Sequence, residues 1–89
     1  MLSLPALLTQ PQALETARGL KTQVASQATA VVLDAGALSQ FDSSALAVML
    51  ACRREALSAG KTFAVAGLPP KLAQLASLYG VAELLAQPS

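Results

Sequence analysis

Two periods of apolar residues alternate along the chain, and their succession lays out a fold. Leu2-Ser3-Leu4 alternates with a period of two and predicts a short strand ended by Pro5. Leu14, Ala17, Leu20 (or Lys21) and Val24 recur every three to four residues, and Pro11 suits a first turn; together they predict a helix from Gln12 to about Ala25. Thr29 to Leu33 is β-branched and uninterruptedly apolar from Ala30, the pattern of a strand buried on both faces. Ala35 to Gln40 reads as a loop. A second helix is expected from Ser43 to Ala59, with Asp42 as N-cap and Gly60 as its stop. Lys61 to Ala66 forms the next strand and Gly67-Leu68-Pro69-Pro70 the turn out of it. A third helix then runs to Tyr79, with Leu72, Leu75, Ala76 and Tyr79 on one stripe and Gly80 as its stop. Val81 to Ala86 is a short final segment of no assigned type.

The order β-α-β-α-β-α with short connections predicts parallel strands joined by right-handed crossovers. The expected fold is a single α/β domain over residues 1–89, a small, mostly parallel sheet of three to four strands with crossover helices.

Composition narrows what such a domain does. The chain is 54% apolar but only 3% aromatic, so its core is aliphatic. Charged residues make up 12%, against about 25% in ordinary soluble domains. So little charge over so much surface points to a face normally covered by a partner. The six basic residues are scattered, and Arg53-Arg54, their one adjacent pair, has no aromatic company; no nucleic-acid partner is expected. There is no His, and the single Cys52 lies in the apolar run Ala45 to Cys52, where it behaves as a small hydrophobe. No cofactor or metal is expected. That eight-residue run is far short of the roughly 20 needed to span a bilayer, so direct membrane insertion is not expected. Met1 to Leu8 lacks a basic leader and is broken by Pro5, which argues against a signal peptide and for a cytoplasmic location.

Candidate chemistry concentrates where the strand ending at Asp34 feeds the cluster Asp42-Ser43-Ser44. Asp42 is placed to cap the helix from the N–H of Ser44 or Ala45. Ser43, in the first turn, has no strong structural need, whereas Ser44 reads as structural. An enzymatic Ser requires an activating base; there is no His, and Lys61 and Lys71 sit at element ends. Asp34 and Asp42 flank one loop without other site groups, and no Gly-rich phosphate motif is present. On the second helix, Leu46, Met49, Leu50 and Leu57 suffice for a core stripe. Ala45, Val48 and Cys52 then lie on another side with no charge among them. Either this helix is sandwiched inside the domain or that side meets a partner, and since complete burial is difficult in so small a domain the partner is favoured. Tyr79 serves either as a cap over the core or as an interface anchor.

Over most of the chain these residues resemble the STAS domain. The resemblance covers the strand Val31 to Asp34, the turn Phe41-Asp42-Ser43-Ser44, the helix to Gly60, the strand at Phe63 and the closing helix. It implies a STAS-like β-α fold without catalysis. In anti-sigma-factor antagonists of this family the hydroxyl after the Asp is a regulatory phosphorylation site, here Ser43. The tail Leu75-Ala76-Ser77-Leu78-Tyr79-Gly80-Val81 is similar to a second branch, the small STAS subunit of the Mla phospholipid ABC transporter, which maintains lipid asymmetry. There a Leu-Tyr pair ends the third helix and the hydroxyl after the Asp meets the ATPase. The resemblance implies a cytoplasmic accessory subunit, peripheral to the inner membrane through its complex, that supports that ATPase. Asp42, Ser43, Ser44, Ala45, Val48, Cys52 and Tyr79 are the partner-binding or regulatory candidates. The alternative is an antagonist whose partner is an anti-sigma factor kinase. Ala45 stands where the family usually has Gly, so its methyl is expected to limit a partner's approach to the turn. The chain also begins about one strand later than a typical antagonist.

Overall fold

The structure is a computed structural model, and it describes residues 2–85. Its elements are β1 (Leu2–Ser3), β2 (Leu7–Leu8), α1 (Gln10–Ser26), β3 (Ala30–Asp34), β4 (Gln40–Phe41), α2 (Ser43–Ser58), β5 (Thr62–Ala66) and α3 (Pro70–Leu78), closed by a 3₁₀ turn at Ala82–Leu85. The expected α/β order is present. β1, β3 and β5 form a parallel three-stranded sheet in that order, with Leu2 opposite Leu33 and Val31 opposite Phe63. β2 and β4 form a separate parallel pair. Pro5 cannot donate to a ladder, so the first strand is interrupted there and resumes at Leu7. The β3–β4 loop bridges the same gap, with Ser39 and Gln40 both donating to the Ala6 carbonyl. These two-residue strands carry too little pattern to be read from sequence, and Gln40 falls in β4 rather than in a loop. Ala86, the last residue of the expected closing segment, lies outside the described residues.

β3 is not buried on both faces. Val31, Leu33 and Val65 are buried, whereas Val32, Asp34, Ala64 and Ala66 are half-buried and Ala30 and Thr62 exposed. The sheet order explains this. Each crossover steps the chain the same way across the sheet, and right-handed crossovers of one direction put their helices on one face.

α1 starts two residues earlier than its apolar pattern suggests. Gln12 Oε1 accepts from the N–H and the hydroxyl of Thr9, closing the first turn. Its inner stripe is Ala13, Ala17, Leu20 and Val24; Leu14 is 64% exposed. The last turn carries no basic residue of its own. Lys61 supplies one from across the fold, its Nζ donating to the carbonyls of Val24 and Gln27 at 2.7 Å and of Ala25 at 3.3 Å.

α2 is the central helix, packed against α1, β5 and α3. It buries Ala45, Leu46, Val48, Met49, Cys52 and Ala56. The expectation that Ala45, Val48 and Cys52 face a partner is therefore corrected: that side of α2 lies inside the domain. Three neighbouring elements need a wider apolar arc than one core stripe provides.

Candidate functional site

Parallel strands deliver their carboxyl ends to one edge of a sheet, so α1, α2 and α3 all begin there. Asp42 joins two of those beginnings. Its Oδ1 accepts from the Ser44 N–H at 2.8 Å, the expected N-cap, and its Oδ2 accepts from the Gln10 N–H at 3.2 Å. The second contact, between residues 32 apart in sequence, had no signal in the local pattern. The Ser44 N–H, followed by that of Gln10, holds the Asp42 carboxyl below its ordinary value of 3.8. A depressed native value means the carboxylate's contribution to stability is complete above about pH 4 and is lost as pH falls through that lower value. Asp42→Ala should lower the melting temperature by about 4–8 °C, with Asp42→Asn recovering most of it, in a thermal melt at neutral pH. An unchanged melt would remove Asp42 from the scaffold.

Asp34, at the end of β3, accepts from the Gly36 N–H at 2.8 Å through Oδ1. Each carboxylate of this loop is thus engaged with nearby backbone. Among the described residues no group of three or more His, Cys, Asp or Glu is placed to hold a metal ion. Nor, among the described residues, is any helix long and apolar enough to cross a membrane.

The sequence candidates separate sharply. Ser43 is exposed beside the cap, and Ser44 is half-buried behind it. Ala45 is fully buried, so its methyl points into the core and not at an approaching partner. Cys52 is buried as well; burial first, and Glu55 second, push its thiol up to about 11, leaving it protonated and inert at neutral pH. Tyr79 is 58% exposed at the C-terminus of α3, beside Leu78 at 81%, so it is no cap over the core. Nor does it meet Ser43 through α3. That helix starts at the shared edge and carries Tyr79 about 13 Å away along its length.

A different set of residues accompanies Ser43. The outer side of α2 presents Ser43, Ala47, Leu50, Arg54 and Leu57, spaced four, seven, eleven and fourteen residues from the first, which is one helical stripe. Ala47 and Arg54 are exposed, Leu50 is half-buried, and Leu57 is 47% exposed. Arg54 alone is charged. Sequence reasoning put Leu50 and Leu57 in the core. Leu50 does pack against it from the edge of this stripe, whereas Leu57 is exposed, and its spacing from Ser43 was the available signal that it shares that side.

A family model described as "Mlab, STAS domain" matches residues 3–86. No curated protein matches the chain.

Proposed function

The chain belongs to the Mlab-type STAS domain family, and from that premise we propose that it is a non-catalytic accessory subunit docking on the ATPase of a phospholipid-transporting ABC complex. The docking surface in this reading is the outer stripe of α2, headed by Ser43. The observation that carries it is the chemistry of that stripe. A solvent-facing helix side ordinarily bears charges, and this one bears only Arg54 between Ala47, Leu50 and the half-exposed Leu57. A hydroxyl at one end and an aliphatic side chain at the other suit a partner that packs closely and takes one hydrogen bond. The absence of any His, with both loop carboxylates bound to backbone amides, leaves nothing to activate Ser43 as a nucleophile. Binding energy therefore acts by supporting the assembly or activity of the ATPase.

The test is co-purification with the ABC-transporter ATPases of the same cell, followed by titration of this chain with the one that is captured. Ser43→Arg and Leu57→Asp should each weaken the complex at least about tenfold, equivalent to about 1.4 kcal/mol of binding, at an unchanged melting temperature. Wild-type affinity in both variants would sink the reading. An exposed hydroxyl is also open to modification. Stoichiometric phosphate on Ser43 in protein isolated from its cells, with capture of a kinase-type anti-sigma factor, would favour the antagonist reading instead.

A further inference from the structure

On the side of α2 facing α1 there is a groove of about 220 Å³, apart from the turn at Ser43. Small side chains make its floor, Ala17 from α1 with Ala51 and Cys52 from α2. Arg18, Lys21 and Arg54 stand around it, half of the six cations in the chain, and Glu55 is the one acid among the lining residues. Of the other cations, Lys61 is held on the carbonyls that end α1. In a chain so sparing of charge, this groove gathers three cations against one acid, a net charge of +2 among its lining residues.

We propose that this groove receives an acidic segment of the docked protein partner, an aliphatic side chain lying over Ala17, Ala51 and Cys52 while flanking Asp or Glu carboxylates meet Arg18, Lys21 and Arg54. The proposal rests on the docking reading above and gives the partner's surface a chemistry. Two guanidinium forks match carboxylates in pairs of hydrogen bonds, and clustered arginines are a recurrent means of recognising acidic motifs. The floor stays neutral, since burial keeps the Cys52 thiol protonated. At about 220 Å³ the groove is smaller than the roughly 300–1,000 Å³ of small-molecule sites and fits one or two side chains. A lipid surface is the weaker match, because anionic membranes are held by clusters of about 4–8 basic residues and here three stand beside a glutamate. Arg54 belongs both to the groove and to the outer stripe of α2, so the two surfaces are continuous.

The experiment treats the purified complex of this chain and its ATPase with a carbodiimide, which joins amines to carboxylates at zero length, and maps the products by mass spectrometry. A Lys21 amide to an Asp or Glu of the ATPase is the expected product. The double variant Arg18→Glu/Lys21→Glu should bind at least about tenfold more weakly. It should melt as the wild type does, both residues being exposed. If the wild type forms no complex, the docking reading fails and this proposal with it. If the complex forms, lacks the Lys21 crosslink and tolerates the double variant at full affinity, docking stands and the groove proposal is overturned. Sedimentation of the wild-type chain with phosphatidylglycerol vesicles, abolished in the double variant, would assign the groove to lipid and also overturn it.

Discussion

Val48→Asp is expected to abolish folding, whereas Leu57→Asp leaves the domain intact. Both substitutions put a carboxylate on α2, yet Val48 is 2% exposed and Leu57 is 47% exposed. Val48 belongs to the aliphatic core cluster, which contains no charged residue, and an uncompensated charge in a protein interior costs about 3–5 kcal/mol. A domain this small has a total margin on the order of 5 kcal/mol. Far-UV circular dichroism and a thermal melt should therefore show Val48→Asp unfolded or barely folded at 25 °C. Leu57→Asp should keep a cooperative transition near the wild-type temperature and, under the docking proposal, lose affinity for the ATPase. Were Val48→Asp to melt like the wild type, the inward side of α2 would have to be an interface after all.

Gly67→Ala should lower the melting temperature on the order of 10 °C, more than Gly60→Ala. Both glycines have a positive φ, +69 and +74, where an L side chain is strained. They differ in surroundings. A methyl at Gly67 would sit 3.1 Å from both the Cα and the N of Gly36, which are backbone and cannot step aside cheaply; a methyl at Gly60 meets nothing within 4 Å. The difference between the two melts isolates the close approach of the turns after β3 and β5. Equal shifts would mean that the Gly36 turn yields freely.

That close approach lies at the same end of the sheet as Ser43, and it shows what a sequence can and cannot transmit. Elements of nine residues or more were legible because their periodicity repeats: α2 begins at Ser43 behind Asp42, and α3 buries Leu72 and Ala76 of its expected stripe. β2 and β4, at two residues each, contain no full period. The cap at Asp42 was readable since its partner Ser44 is local; the bond to Gln10 was not, because tertiary packing alone brings α1 to that carboxylate. The core stripe of α2 was read correctly at Leu46 and Met49, but Leu57 and the side bearing Ala45, Val48 and Cys52 were misplaced for a related reason. Leu and Met look like core and Ala, Val and Cys like spare surface when a helix is assumed to touch one neighbour. With three neighbours the small residues are what allow close packing, so Ala45, Val48 and Cys52 go inside and the bulkier Leu57 remains out.

Lys61 and Asp42 have one more effect between them. α1, a helix of 17 residues, fully buries Leu20 and Val24 and packs Ala13 and Ala17 against the core, so its middle and second half are held by α2. Its first amide is tied to Asp42 and its last carbonyls to Lys61, two residues belonging to other parts of the chain. A rod fastened at both ends cannot swing about either, so its position over α2 is set before any partner arrives. The wall carrying Arg18 and Lys21 is in that sense preorganised, and a ligand meeting it loses less entropy in ordering the site than it would against a helix held by packing alone.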